Sequence, residues 1–207
     1  MTICQYRVKW EPRSDAASPL AAQVSSMIDW LAHLPATQGE WASRGSRGER
    51  LVWRGPSNAV RSLVGGRVPS LHSEAWQPAQ YYKQAFYLGS FRAWQARIAI
   101  VCGFDEASPG VELPNSCELS IRGSLSVEDQ RQAMVGLIGV FRPVSGYASI
   151  DNVPRARLVE SAPTVGWLTY LSSWFGEPPV LAEPAIVSAI PRYGSLIQAL
   201  PGPLDAN

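Results

Sequence analysis

Hydrophobic and polar positions alternate most cleanly at residues 94–102, where Trp94, Ala96, Ile98, Ile100 and Cys102 fall on one face at period two. That is the signature of a half-buried strand, predicted over 91–102. Gln95, Arg97, Ala99 and Val101 make the other face, which is only partly apolar. Residues 115–122 repeat the pattern, with Cys117, Leu119 and Ile121 in and Ser116, Glu118 and Ser120 out. The two runs are expected to pair as a hairpin across the long loop 103–114. Residues 2–9 read as a further short strand, mixing β-branched and aromatic residues with polar ones.

Helical spacing follows Ser18-Pro19, a cap residue followed by proline at the first helical position. Leu20, Val24, Met27, Ile28, Leu31 and Leu34 recur on one face, and Pro35 ends the pattern. A helix is predicted over 19–34. Ser126, with Asp129 three residues on, resembles a weakened capping box. Val127, Met134, Leu137, Ile138 and Phe141 then share a helical face over about 127–140, and Pro143 closes it. Gly136 and Gly139 each cost about 1 kcal/mol against alanine in a helix, and close packing on a sheet would explain them.

The remaining segments are shorter. Residues 36–48 read as loop, 50–54 as a strand, 56–64 as a short helix and 67–80 as irregular. Residues 147–150, 156–159, 167–171 and 196–200 are further strand candidates. The order is strand, helix, strands, helix, strands. It departs from a regular βαβ alternation, so the expected fold is α+β. Residues 1–207 form one domain with a mainly antiparallel, mixed sheet and two main helices packed on it.

Composition agrees with a folded chain: 207 residues, 46% hydrophobic and 17% charged. Intrinsic disorder would need fewer apolar residues and a high net charge. Three widely spaced cysteines, Cys4, Cys102 and Cys117, give neither a disulfide framework nor a zinc pattern. They are expected to be reduced and mostly buried. Residues 1–10 hold no apolar stretch of signal-peptide length, and no run of 18 apolar residues occurs. The expected location is cytoplasmic, away from the membrane.

The net charge of +1 hides an asymmetry. Residues 1–100 carry 12 basic and 6 acidic side chains, and residues 101–207 carry 6 basic and 11 acidic. Six arginines (44, 47, 50, 54, 61, 67) crowd into 44–67 with Trp53 among them and Trp41 just before. Such a segment suits phosphates and stacked bases, so a nucleic-acid-binding module is the alternative function. The same arginines also suit ion pairs with the acidic half of the domain. Six acids (105, 106, 112, 118, 128, 129) lie in 105–129 with Arg122 alone against them. An acidic loop on a rigid sheet would steer a basic partner; it equally fits a solvated loop and a helix start.

Catalytic chemistry is sparse. His33 lies near the end of the first helix, where it suits free carbonyls. His72 and Glu74 form an H-x-E without the P-C-x-x-C that zinc deaminases need. No Walker A, G-x-G-x-x-G, G-x-S-x-G or H-E-x-x-H motif occurs. An enzyme is not expected, nor a cofactor or metal; an unrecognised site would have to use His72, Glu74 and Cys102. Trp174 and Phe175 sit in a turn-like segment ending Glu177-Pro178-Pro179. There they would either anchor a partner or fold back over the sheet.

Within residues 162–171, the run Pro163-x-Val165-Gly166-Trp167-x-x-Tyr170-Leu171 resembles the C-terminal part of the immunity protein 52 family of bacterial polymorphic toxin systems. Trp94, Cys102-Gly103, Gly146-Tyr147 and Gly194 fall in a similar order, and the resemblance covers roughly residues 85–200. It implies an antitoxin that binds a cognate secreted toxin stoichiometrically. The implied toxin is a restriction-endonuclease-fold nuclease, delivered by a type VI secretion system. The motif positions build the fold, so no binding residue carries over from them. From the residues themselves, Asp105, Glu106, Glu112, Trp174 and Phe175 are the expected toxin-binding set. The free chain is expected to be a monomer or weak dimer.

Overall fold

The computed structural model describes residues 2–10, 17–45, 47–56, 80–104, 115–123, 125–150, 166–177 and 185–199. Ten strands form one sheet: β1 (Ile3–Trp10), β2 (Trp41–Arg44), β3 (Arg50–Val52), β4 (Gln80–Gly89), β5 (Trp94–Phe104), β6 (Asn115–Arg122), β7 (Ser145–Ile150), β8 (Leu168–Ser172), β9 (Ala185–Ile190) and β10 (Gly194–Ala199). Their order is β3-β2-β4-β5-β6-β1-β7-β8-β10-β9. Every neighbouring pair is antiparallel. Two helices, α1 (Ala17–Leu31) and α2 (Val127–Phe141), pack on each other, and α2 packs on β1. The chain is a single α+β domain, as the order of elements predicts.

The first strand becomes the centre of the sheet because it is half apolar in strict alternation. Cys4, Tyr6, Val8 and Trp10 are all buried. They oppose Ile121, Leu119, Cys117 and Asn115 of β6, which are buried too. On the other side of β6, Ala96, Ile98 and Ile100 meet Ile121, Leu119 and Cys117. The predicted hairpin of β5 and β6 is therefore present. Leu20, Val24, Met27 and Leu31 of α1 and Met134, Leu137, Ile138 and Phe141 of α2 close this face, and all are fully buried. Trp10 and Phe141 stack with centroids 5.3 Å apart.

Helix ends follow their local chemistry. Ser126 caps α2, its Oγ accepting from the Asp129 N–H at 3.0 Å and donating to Asp129 Oδ2 at 2.7 Å. Arg142 ends it in the left-handed region (φ 48°), with its N–H on the Ile138 carbonyl. Helix α1 stops at Leu31, three residues short of the predicted end. A tight turn, Pro35–Thr37, follows, because Pro35 lacks the N–H that another helical turn needs. His33 Nδ1 lies 3.1 Å from the Asp29 carbonyl oxygen and 3.2 Å from that of Trp30, at the helix end as expected.

Some elements differ from the sequence reading. Strand β2 lies inside the segment read as loop, and β4 and β9 lie where no strand was predicted. Strand β3 ends at Val52 and β5 starts at Trp94. Beyond Pro56, the short helix expected at 56–64 lies outside the described residues, as does the strand expected at 156–159.

The second face of the sheet is more polar. Glu118 of β6 accepts from Arg7 Nη2 at 2.6 Å and lies 3.5 Å from Arg97 Nη1. The three side chains are part-exposed, so the cluster contributes about 1 kcal/mol or less. Arg7 and Arg97 belong to the basic half of the chain and Glu118 to the acidic half.

Candidate functional site

Strand β8 is placed by two glycines. Gly166 precedes it so closely to β7 that an added Cβ would strike the Ala148 carbonyl oxygen. The Trp167 N–H donates to that same carbonyl at 3.1 Å, and the Trp167 side chain is buried. Gly194 (φ 149°) opens β10, and a Cβ there would strike the Leu171 carbonyl oxygen. The glycine and tryptophan positions behind the family resemblance therefore build the fold, as expected.

At the end of β8 the chain makes one tight turn, Ser173–Phe175. Three hydrogen bonds hold it. The Ser172 N–H donates to the Val144 carbonyl (3.0 Å), the Ser173 N–H to the Tyr193 carbonyl (2.9 Å), and the Gly176 N–H to the Ser173 carbonyl (3.1 Å). The Tyr193 carbonyl also accepts from the buried Tyr170 hydroxyl at 2.8 Å. Burial first, and then neighbouring Tyr193, push the Tyr170 phenol up to about 12. It stays protonated and keeps donating across the neutral range. The turn is thus tied to the β9–β10 hairpin through one doubly used oxygen.

On this turn Trp174 is 74% exposed and Phe175 41%. Their rings meet edge to face, centroids 5.4 Å apart. They do not fold back over the sheet. The pair presents a large, preorganised apolar surface, the kind that anchors protein interfaces.

Asp105, Glu106 and Glu112 lie outside the described residues. The strand ends on either side of them, Phe104 and Asn115, are described. Asn115 opposes Trp10, Lys9 opposes Ser145, and Ser145 opposes Leu171. The acidic loop therefore leaves and re-enters the sheet at the same end as the aromatic turn. Strands β6 and β8 are three positions apart, about 14 Å at the usual strand spacing.

The arginine-rich segment is split. Arg44, Arg47, Arg50 and Arg54 are described; Arg61 and Arg67 are not. Arg50 Nη2 pairs with Glu40 Oε1 at 2.7 Å, and the Arg47 N–H donates to Glu49 Oε2 at 2.9 Å. These acids belong to the N-terminal half, not to the acidic half expected to pair with the arginines. Trp41 is buried, and Trp53 packs edge to face on Phe86 at 5.8 Å. Trp41 thus offers no free ring for a base. Strand β2 is six positions from β8, so strands β2 and β3, with Arg44 and Arg50, and the aromatic turn are separate surfaces.

Cys4, Cys102 and Cys117 are buried thiols. Burial raises the Cys117 thiol strongly, with the Glu118 charge adding to it. Among the described residues no three His, Cys, Asp or Glu side chains group as metal ligands, and no helix is long and apolar enough to cross a membrane. His72 and Glu74 lie outside the described residues.

No protein-family model matches the chain, and no curated protein matches it. Among solved structures the chain is similar to the Pseudomonas aeruginosa T6SS protein PA0821, with a TM-score of 0.52 and 13% identity over 96% of this chain and 68% of that one. At that identity the likeness is one of fold.

Proposed function

We propose that the chain is an immunity protein that binds a cognate secreted nuclease toxin stoichiometrically and silences it in the cytoplasm. The observation that carries this reading is the exposed Trp174–Phe175 pair, set on a hydrogen-bonded turn at the same sheet end as the strands that flank the acidic loop. An apolar anchor at a sheet end whose flanking sequence is acidic suits a basic, DNA-binding surface: acids speed encounter and aromatics slow release. The resemblance of residues 162–171 to the immunity protein 52 family supports the reading. The fold likeness to a type VI secretion protein supports the setting. A net charge of +1 argues against overall mimicry of DNA, so the acid acts locally.

The test is a pull-down with the tagged chain from its own organism's lysate, at two salt concentrations, with nuclease added. A single stoichiometric protein partner that survives the nuclease, and whose DNA cleavage stops on mixing with the chain, is the expected result. Nucleic acid alone, washing off with salt, would overturn the reading in favour of residues 44–67.

A further inference from the structure

The two edges of the sheet are built differently. Strand β3 is three residues long, begins at the charged Arg50 and is followed by Arg54. Short length and charge are the ordinary protections of a sheet edge. Strand β9, Ala185–Ile190, is six residues long and reads AIVSAI, without a charge, a proline or a glycine. It pairs with β10 on one side; among the described residues no strand lies on the other.

Exposure shows what kind of neighbour is missing. Ile186 and Val187 are consecutive and so point to opposite faces of the sheet. They are 49% and 46% exposed. One strand inward, Leu196 and Ile197 also point to opposite faces, at 1% and 8%. A missing layer would expose one face only. Here both faces open together at the last strand, and one added strand covers both.

We propose that β9 is a self-association edge and that its occupant is β9 of a second copy, paired antiparallel about a two-fold axis. Such an interface is isologous and closed, so it gives a dimer and not a fibre. Centred on Val187 or Ser188, it sets Val187 against Val187 or Ala189, with no charge opposed to another. In the sequence the strand is bracketed by Glu183 and Arg192. Antiparallel self-pairing matches an acidic end with a basic one at both ends, whereas parallel pairing matches like with like. The two ten-stranded sheets join into one. This surface is distinct from the aromatic turn and does not depend on the immunity reading.

Sedimentation equilibrium of the full chain, from about 5 to about 500 µM, tests it. The expected mass rises with concentration from 22.6 kDa towards twice that value. Val187→Lys and Ala189→Lys should each weaken association at least tenfold, about 1.4 kcal/mol, with unchanged circular dichroism and, at concentrations where the wild type is monomeric, an unchanged melting temperature. Trp174→Ala should associate like the wild type. A wild type that stays monomeric throughout overturns the proposal. So does a dimer that both lysine variants leave intact, or one that Trp174→Ala abolishes.

Discussion

The indole of Trp30 on α1 lies directly over Gly136 of α2: a Cβ built on that glycine would stand 2.7 Å from two ring atoms. The glycine marks close packing, but of helix on helix, where the sequence suggested helix on sheet. Gly139, one turn on, has nothing within 4 Å and is exposed.

These two glycines should therefore respond in opposite directions to the same change. Gly139→Ala gains helix propensity at no steric cost and should stabilise the fold by about 1 kcal/mol. Gly136→Ala gains the same propensity but must displace the Trp30 ring, and overpacking of that kind costs about 1–3 kcal/mol. A net loss of about 1 kcal/mol is expected for it. Urea unfolding of the two variants checks the signs.

The hairpin that supports the aromatic turn carries a second contrast. Ile190-Pro191-Arg192-Tyr193 has a bond from the Tyr193 N–H to the Ile190 carbonyl at 2.9 Å, with Arg192 at φ 71°. Proline second and a positive φ third describe a type II turn, which prefers glycine at the third place. Arg192→Gly should stabilise by roughly 0.5–1 kcal/mol, since relief of the left-handed strain outweighs the added chain entropy. Gly194→Ala, two residues on, meets both a positive φ and the Leu171 carbonyl. It should cost at least about 2 kcal/mol. Thermal unfolding separates the pair.

Three buried groups hold their protons more tightly in the folded state. Burial raises Tyr6, Tyr170 and Cys117 above their ordinary values of 10.0, 10.0 and 9.0. Below pH 9 both states keep these protons and stability is unaffected. As pH climbs through 9 to 10, the unfolded chain releases protons that the folded chain retains, so stability falls. Tyr170→Phe should lose about 1 kcal/mol near neutrality, through the lost bond to the Tyr193 carbonyl, and should show a shallower alkaline decline. Urea midpoints between pH 8 and 10.5 measure both. In the same samples the three buried thiols should resist a thiol reagent until urea unfolds the chain.

The elements legible in the sequence are those in which burial is one-sided. β1, β5, β6 and both helices have one apolar and one polar face, and their periods show it. β4 escapes because Lys83 and Tyr87 share one face while Gln84 and Phe86 share the other, so neither face reads as core. β2 is four residues long and ends in Ser43-Arg44. β9 is apolar on both faces, unlike an ordinary protected edge strand, and so has no period; the prolines at 184 and 191 were its available signal. The aromatic turn was legible from its Gly-Glu-Pro-Pro ending. Its place at the same sheet end as the strands flanking residues 105–114 was not, because that follows from the order β6-β1-β7-β8, in which β1 comes from the other end of the chain.

The aromatic pair gives the last prediction. Trp174 contributes little to the core at 74% exposure, so Trp174→Ala should leave the melting temperature nearly unchanged. On the function proposed above, its loss should instead appear in toxin binding, at about 2 kcal/mol or more, as for a central aromatic anchor. Phe175 is less exposed and props the indole edge to face. Phe175→Ala should cost less, and the two losses should fall short of additive by about 0.5–1.5 kcal/mol, the size of an aromatic pair's own coupling. Calorimetric titration of the four proteins against the purified toxin completes that double-mutant cycle. Binding by Trp174→Ala equal to the wild type would place the turn outside the interface. Affinity would then have to come from the acidic loop, and the wild-type complex should weaken steeply with salt.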